Sequence, residues 1–362
     1  MNIGIIGGGK VGAAIAALLE TCDFCVTVLV GDRQPVQGLG GLSKTSFRPL
    51  DVMNEPELDG FVRDCDAVVS AAPYYLNKSI ATSCANATRS YFDLTEDVQT
   101  SEFVRELARA HPVTFVPQCG LAPGAVNIIG SGLASSFKAV RSIEMRVGAL
   151  PLSASNQMRY YLSWSTAGLI NEYCRFGEAL NQGRRVPTAP LDGVERLTID
   201  GVEYEAFNTS GGVATMCETF EGRVTDLSYK TLRYPGHRDL MKFLLFDLNL
   251  SQKQDVLTQI FDQEVPLTFS DVVVVFVNTV GNDDAGLLQR SYVKKIYAGT
   301  VSGRPLSAIQ LSTAAGLVAI LELFARGVLA SGFTPQESIG LDQFFSTQWG
   351  GRVYGDALIH SR

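Results

Sequence analysis

The pattern of apolar and polar residues changes near residue 124. Up to that point, short apolar runs of the buried-strand type alternate with stretches of helical periodicity. The runs predict strands over 2–6, 26–30, 45–50, 67–71, 90–94 and 113–116, and a helix over 11–20. Such alternation is typical of βαβ units, which pair their strands in parallel. We therefore predict an α/β fold whose first part is a Rossmann-type, doubly wound parallel sheet.

The chain beyond Pro123-Gly124 lacks this strict alternation. The longer elements predicted there are strands over 142–147, 202–207 and 272–280 and a helix over 171–180. They indicate a second, mixed α+β domain. The pattern becomes helical again over 305–330, and we expect this helix to cover the first domain. The predicted domains are a dinucleotide-binding domain over 1–124, completed by 305–362, and a second domain over 125–304.

Composition narrows the class of protein. Of the 362 residues, 46% are hydrophobic and 19% are charged, which excludes a disordered or fibrous chain. The net charge of −7 is the opposite of the basic surface expected of a nucleic-acid binder. Polar residues interrupt the apolar stretch over 305–321, which therefore falls short of a membrane-spanning helix. We expect a soluble, cytoplasmic protein with no nucleic-acid partner, no membrane partner and no metal site.

A glycine-rich loop follows the first predicted strand. Gly7, Gly9 and Gly12 form G-x-G-x-x-G at the start of a helix, where the backbone can approach a pyrophosphate. Asp32 lies at the end of the second strand, where a carboxylate can accept hydrogen bonds from the adenosine ribose. Its charge favours NAD over NADP. The neighbouring Arg33 keeps NADP open, because a guanidinium suits a 2′-phosphate.

Further cofactor contacts are predicted where parallel strands end, because ligands bind beyond these ends. Together with the loop residues, the predicted contacts are Lys10, Val11, Asp51, Val52, Ala71, Ala72, Pro73 and Gly120. The segment 117–124 is either an interdomain hinge or a wall beside the nicotinamide. In the second case, Cys119 would contact cofactor or substrate. Cys22 and Cys25 precede the second strand and are interpreted as structural thiols.

His237 is the histidine with the most informative surroundings. It closes the segment 230–237, in which Pro235-Gly236 fixes a turn between Arg233 and the histidine. One interpretation is a surface turn with solvated cations. The other is a cluster that binds a carboxylate and transfers a proton.

Several segments together resemble the saccharopine dehydrogenase family. They are the glycine loop, 72–77 (APYYLN), 93–97 (DLTED), 119–124 (CGLAPG), 164–173 (WSTAGLINEY), 232–237 (LRYPGH), 271–280 and 310–327. The short lysine 6-dehydrogenase branch is the most similar. Thr166-Ala167 departs from the family, which has a proline in this stretch. The resemblance implies a cofactor domain completed by C-terminal helices, and a homodimer formed through the second, substrate-binding domain.

The resemblance implies an NAD(P)-dependent oxidoreductase that acts on the C–N bond of an amino acid. Oxidative deamination of the lysine side chain is the first expectation. A related alternative is reduction of an imine to a saccharopine-like or carboxynorspermidine-like amine. A non-catalytic nucleotide-binding sensor is the alternative from another class.

Roles in the expected reaction are distributed over seven residues. Arg233 would bind the substrate carboxylate, Glu172 or Asp93 the ammonium, and His237 would be the general acid/base. Trp164 and Tyr74 would wall the site, and Cys119 would lie beside it.

Overall fold

The structure is a computed structural model that describes residues 1–162, 164–284, 286–355 and 358–361. Within these residues the chain divides into two compact units. The first contains residues 1–128, 300–306 and 310–355, and the second contains 129–299, 307–309 and 358–361. The predicted division assigned all of 305–362 to the cofactor domain. In the structure, 358–361 pair with a strand of the second unit.

The strands and helices are numbered along the chain. The strands are β1 (Asn2–Ile6), β2 (Thr27–Asp32), β3 (Thr45–Pro49), β4 (Ala67–Ser70), β5 (Ser90–Asp93), β6 (Thr114–Val116), β7 (Ala139–Pro151), β8 (Gly177–Asn181), β9 (Arg184–Thr188), β10 (Glu195–Ile199), β11 (Val202–Asn208), β12 (Asp226–Arg233), β13 (Asp271–Asp283), β14 (Gly286–Tyr297), β15 (Gly299–Val301), β16 (Arg304–Leu306), β17 (Gly332–Phe333) and β18 (Leu358–Ser361). The α-helices are α1 (Lys10–Leu19), α2 (Glu55–Arg63), α3 (Asn77–Asn86), α4 (Val98–Ala110), α5 (Ala125–Ala134), α6 (Thr166–Cys174), α7 (Met216–Phe220), α8 (His237–Lys242), α9 (Gln254–Glu264), α10 (Ala308–Ala325), α11 (Leu341–Phe345) and α12 (Gln348–Tyr354).

The first unit is built on a parallel sheet of order β3-β2-β1-β4-β5-β6-β17. The order reverses next to β1, as in doubly wound dinucleotide-binding folds. Ile3, Ile5 and Ile6 of β1 are buried, which is why this strand is a continuous apolar run. The predicted Rossmann-type sheet is confirmed, and its strand ends lie close to the predicted bounds.

Helix α10 supplies the late helical segment predicted over 305–330. Its eighteen residues have a mean hydropathy of 1.7 and are apolar and long enough, by those criteria alone, to cross a membrane. Contrary to the expectation from the sequence, the helix reaches that length. However, 72% of it is buried inside the structure, as in the core helix of a globular fold. In the first unit, Phe324 packs edge-on against Phe92, with ring centroids 5.3 Å apart.

The second unit is built on a mixed sheet of order β10-β11-β12-β7-β13-β14-β18. Strands β12 and β7 pair in parallel, whereas β7 and β13 pair in antiparallel fashion over almost their full length. A core of buried residues from α6, α8, α9 and β11 lies in this unit. Of these elements, α6 carries Glu172 and Tyr173 and α8 begins at His237, which are residues of the candidate substrate site.

The predicted helix over 171–180 is only partly correct. Helix α6 ends at Cys174, and the chain then enters β8, which pairs with β9. Gly177 lies so close to the backbone of Thr209 that a Cβ would be 2.7 Å from its carbonyl oxygen. Sheet pairing and this close approach override the helical pattern of residues 175–180.

Candidate active site

The glycine loop has the geometry that a pyrophosphate requires. Gly7 has φ +102°, and a Cβ there would lie 2.6 Å from the Ala71 carbonyl oxygen. A Cβ on Gly12 would overlap the Gly7 carbonyl oxygen, so this glycine sets the packing of α1 on the loop. Gly9 differs, because a Cβ there would meet nothing within 4 Å. The loop is therefore tightly packed except at Gly9, where space is open for a ligand.

The start of α1 is suited to an anion. Gly9 precedes the helix, no side chain caps it, and its first turn has no acidic residue. Its first N–H groups therefore face the loop with the positive end of the helix dipole. Lys10 and Val11 occupy the first two helical positions. The residues present fit a dinucleotide.

Asp32 is oriented by the same loop. One of its carboxylate oxygens accepts a hydrogen bond from the Gly8 N–H at 2.7 Å, and the other accepts from the Gln34 N–H at 3.2 Å. Carboxylate oxygens accept more than one hydrogen bond, so both can also receive ribose hydroxyls. The carboxylate is thus fixed at the end of β2, where the sequence places it.

Arg33 points its charge at Asp51. Its Nη2 lies 2.8 Å from Asp51 Oδ1, and the pair lowers the pKa of the Asp51 carboxyl. Both side chains are exposed. Asp51 also accepts a hydrogen bond from the Met53 N–H at 3.0 Å, while Val52 between them is buried. Arg33 is therefore already paired, which the sequence did not indicate.

The predicted contacts after β4 lie on the first unit. The Ala71 N–H donates to the Ile6 carbonyl oxygen at 2.8 Å, which ties this segment to the end of β1. Ala72 and Pro73 follow, and Tyr74 is 46% exposed with its ring edge-on to Tyr75. Tyr74 thus belongs to the first unit, whereas Trp164, its predicted companion in walling the site, belongs to the second.

Asp93 has a structural role that the sequence did not reveal. It is fully buried, and its carboxylate accepts hydrogen bonds from the Tyr91 hydroxyl and from the N–H groups of Thr95 and Gln118, at 2.8 to 2.9 Å. Burial raises its pKa to about 6 against these bonds. The carboxylate is fully buried and joins the ends of β5 and β6, which is a structural role rather than the predicted contact with a substrate ammonium.

Cys119 is also buried and bonded within the first unit, unlike the site residue that the sequence predicted. It is 1% exposed, and its thiol donates to the Val116 carbonyl oxygen at 3.0 Å. Burial and the charge of Asp93 raise its pKa, which disfavours the thiolate that a nucleophile requires. The adjacent Gly120 is packed against Gly316, whose Cβ would lie 2.5 Å from the Gly120 carbonyl oxygen. This part of the segment 117–124 is therefore packed inside the first unit.

The second unit buries a charged cluster, which we call the Arg233 cluster: Tyr160, Glu172, Tyr173, Arg233 and His237. Arg233 is 3% exposed at the end of β12, and its guanidinium lies over two rings. Its Cζ is 5.3 Å from the Tyr160 ring centroid and 5.8 Å from that of Tyr173. Cation–π contacts of this kind strengthen when they are desolvated. They hold the guanidinium although its only hydrogen bond within the described chain goes to the Leu232 carbonyl oxygen.

The surroundings of His237 differ from those expected of the general acid/base that the sequence suggested. Its Nδ1 lies 3.0 Å from the Met158 carbonyl oxygen and must donate to it, so Nε2 accepts from the Tyr173 hydroxyl at 3.1 Å. Burial and the Arg233 charge lower the pKa of His237 to about 3. The imidazole is therefore neutral near neutral pH, and both of its nitrogens are occupied.

Glu172 is the titratable group whose pKa suits proton transfer. It lies on α6 and is 7% exposed; burial raises its pKa to about 7, and the Arg233 charge opposes that rise. Among the described residues, Arg233 acts on Glu172 through its charge alone, and no hydrogen bond or ion pair joins the two side chains. Two opposite buried charges thus influence each other without being paired.

Local sequence explains how these side chains are presented. Gly236 has φ +97°, and the Glu205 carboxylate accepts hydrogen bonds from the N–H groups of Gly236 and Arg238, at 3.0 and 2.7 Å. This turn begins α8 and directs His237 inward. At α6, Ser165 caps the helix by accepting from the Gly168 N–H at 3.1 Å.

Trp164 packs over Gly168, where a Cβ would lie 2.5 Å from its ring. Gly168 therefore leaves room for the indole beside the first turn of α6, which contains Thr166-Ala167.

Three members of this arrangement were missed by sequence reasoning. Tyr160, Tyr173 and the Met158 carbonyl lack any motif of their own. Tyr173 had one signal, since it follows Glu172 in the segment 164–173. Among the described residues, no group of three or more His, Cys, Asp or Glu could hold a metal ion.

The fold and the glycine loop define a dinucleotide-binding protein of the NAD(P)-dependent dehydrogenase class. Comparison with known proteins makes this more specific. Residues 3–116 match the family model of the saccharopine dehydrogenase NADP binding domain, and residues 120–329 match that of the saccharopine dehydrogenase C-terminal domain. The chain belongs to the saccharopine dehydrogenase family, whose members are NAD(P)-dependent dehydrogenases that act on CH–NH groups.

Solved structures agree on the fold. Apo saccharopine dehydrogenase (L-Glu forming) from Saccharomyces cerevisiae is similar with a TM-score of 0.81 at 15% identity, covering 100% of this chain and 99% of that chain. An engineered D-amino acid dehydrogenase bound to NADP+ is similar with a TM-score of 0.50 at 13% identity, covering 96% and 97%. The nicotinamide cofactor follows from the family; the choice between NAD and NADP does not.

Proposed function

We propose that this enzyme oxidises the C–N bond of an amino acid, and that its reaction is oxidative deamination of the lysine side chain. The observation that supports this most is the Arg233 cluster. It buries one guanidinium and one carboxyl group, and within the described residues no hydrogen bond or ion pair joins them. Buried charges without partners are costly, so a ligand that brings one carboxylate and one ammonium compensates both.

The proposed roles follow from charge and pKa. Arg233, held between two aromatic rings, receives the substrate carboxylate. Glu172, with a pKa raised to about 7, takes a proton from the substrate ammonium, because an amine must be neutral before its carbon can lose a hydride. The nicotinamide supplies the hydride acceptor when it is bound. Trp164 and Tyr160 exclude water from the charged groups.

The proton and electron balance is that of an amine oxidation. Glu172 holds the proton released by the ammonium, and the carbon–hydrogen bond breaks as the carbon–nitrogen double bond forms. Water then adds to the resulting imine and ammonia leaves, which gives the aldehyde. His237 takes no part in these transfers, because its nitrogens are committed to Met158 and Tyr173.

We further propose NAD as the preferred cofactor. A 2′-phosphate beside the fixed carboxylate of Asp32 is repelled, and Arg33 is engaged by Asp51 rather than free to receive it. The description of the matching domain points instead to NADP. The direct test of the proposed preference for NAD is to compare the binding affinities of the enzyme for NAD+ and NADP+.

A substrate panel tests the function. Purified enzyme with NAD+ or NADP+ is offered amino acids, diamines and saccharopine, and the absorbance band of the reduced nicotinamide is followed. We expect reduction with lysine. Reduction with saccharopine alone supports the related reaction at a secondary amine, whereas binding of cofactor without turnover on any amine supports the sensor.

Two expectations from the sequence stay predictions. We propose that the enzyme is a homodimer and that it is cytoplasmic. Sedimentation of the purified enzyme tests the first and fractionation of cells tests the second.

A further inference from the structure

Two buried polar groups of the Arg233 cluster have no hydrogen-bond partner among the described residues. They are the Tyr160 hydroxyl and Arg233 Nε, on side chains whose residues are 0% and 3% exposed. They belong to one site, because the Arg233 Cζ is 5.3 Å from the centroid of the Tyr160 ring. Burial raises the pKa of Tyr160, and the Arg233 charge and the Trp164 indole oppose that rise, although the hydroxyl has no hydrogen-bond partner among the described residues.

The neighbouring Tyr173 differs from Tyr160, because its hydroxyl has a hydrogen-bond partner. Tyr173 faces the same guanidinium, is equally buried, and has its hydroxyl bonded to His237 at 3.1 Å. A buried hydroxyl without a partner destabilises a fold, and a phenylalanine of nearly the same shape would remove that penalty. The unsatisfied donor at Tyr160 is therefore a position where stability is given up, as occurs at binding sites.

We propose that the Tyr160 hydroxyl and Arg233 together form a carboxylate subsite, in which Tyr160 selects substrates that carry a carboxylate. The hydroxyl donates to one carboxylate oxygen, and the guanidinium supplies Nε–H and the opposite charge. Both donors then gain the partner that each lacks in the protein alone. This inference rests on the proposed function, and it assigns to Tyr160 a contact that distinguishes lysine from the corresponding diamine, cadaverine.

Tyr160→Phe tests the subsite, because the affinity for lysine should fall while the stability of the protein rises. The variant loses a hydrogen bond to a charged group, so we expect KM for lysine to rise about 10- to 100-fold with kcat little changed. KM for cadaverine, which lacks the carboxylate, should stay within about twofold. The melting temperature of the variant should rise, because an unsatisfied buried group has been removed.

Tyr173→Phe is the matched control. Its hydroxyl is satisfied in the protein, so its removal should lower the melting temperature and leave His237 Nε2 without a donor. Any effect on substrate arises through the guanidinium and through His237. Tyr173→Phe should therefore not weaken carboxylate-bearing ligands selectively, as Tyr160→Phe should.

Binding separates failure of this inference from failure of the proposed function. If the wild-type enzyme turns over no amine, the probes are pentanoate and pentylamine, compared by thermal shift in the presence of NAD+. The subsite predicts stabilisation by pentanoate that Tyr160→Phe loses. A variant that is less stable than wild type, or that weakens carboxylate and amine ligands equally, overturns the proposal, because the hydroxyl is then satisfied within the protein or by water.

Discussion

Replacement of Glu172 by Gln should stabilise the enzyme above neutral pH while it abolishes the proton acceptor. Glu172 has an ordinary pKa of 4.5 and a pKa of about 7 in the fold, raised by burial. Below about pH 4.5 the carboxyl is neutral in both the folded and unfolded states. Between the two values the unfolded state ionises first, so the stability of the wild type falls as pH rises. Above about pH 7 the loss is complete.

The size of this loss follows from the two pKa values. At about 1.4 kcal/mol per pKa unit, the rise from 4.5 to about 7 corresponds to roughly 3 kcal/mol. Gln is neutral and similar in shape, so Glu172→Gln should be more stable than wild type by up to roughly this amount near pH 8. The difference should shrink towards pH 5. In the same variant kcat should fall by roughly 10²- to 10⁴-fold, as for loss of a general base.

The two tryptophans allow this to be measured in the second unit alone. Trp164 lies in the second unit and Trp349 in the first. In a Trp349→Phe background, urea unfolding followed by tryptophan fluorescence therefore reports on the unit that holds Glu172. Glu203→Gln, at an exposed position of β11, controls for the loss of one negative charge. The assignment of Glu172 is refuted if Glu172→Gln is less stable than wild type at both pH 5 and pH 8. It is also refuted if the variant keeps the wild-type kcat and the dependence of kcat on an ionisation near pH 7.

Three further predictions concern other parts of the enzyme. Asp32→Ser should raise affinity for NADP+ relative to NAD+ by about tenfold, since a repulsive charge is removed. The control Asp66→Ser also removes a carboxylate bonded to a backbone N–H. It should leave the ratio of the NADP+ and NAD+ affinities, both measured by titration, unchanged. His237→Asn should lower the melting temperature. The pH profile of kcat should still show an ionisation near pH 7, because His237 is neutral at that pH. Gly9→Ala should weaken NAD+ binding and leave the stability unchanged. Gly12→Ala should lower both the NAD+ affinity and the stability, because its Cβ has no room. Calorimetry measures both quantities.

The cofactor unit could be predicted from the sequence because its signals are local. The strand β1, the three loop glycines and Asp32 lie within one βαβ unit, and Gly7 and Gly12 occupy positions where a Cβ would overlap the neighbouring backbone. What the sequence could not give was the pairing of Arg33 with Asp51. That ion pair joins the ends of β2 and β3, so it depends on sheet register rather than on spacing along the chain.

The sequence predicted which residues lie in the candidate site better than it predicted what each of them does. Arg233, Glu172 and His237 do lie in one buried cluster, but burial reverses the roles that ordinary pKa values suggested. The pKa of His237 falls to about 3 while that of Glu172 rises to about 7, so the carboxyl becomes the group that titrates near neutrality. Asp93 was mistaken for a site residue for the same reason, since its internal hydrogen bonds are invisible in the sequence.

Tyr160 shows a second limit of the sequence. Nothing about an isolated tyrosine indicates that its hydroxyl is buried without a partner; that property depends on how α6, α8 and β12 pack in the second unit. Sequence patterns specify which residues are buried, whereas hydrogen-bond satisfaction depends on the packed arrangement.

Transfer of deuterium to the cofactor tests the central claim most directly. Lysine deuterated at its ε-carbon is incubated with the enzyme and NAD+, and the reduced cofactor is analysed by mass spectrometry beside a reaction with lysine deuterated at its α-carbon. We predict that the label enters the cofactor from the ε-carbon only. Label from the α-carbon would contradict deamination of the side chain, and no label from either carbon would contradict oxidation of lysine altogether.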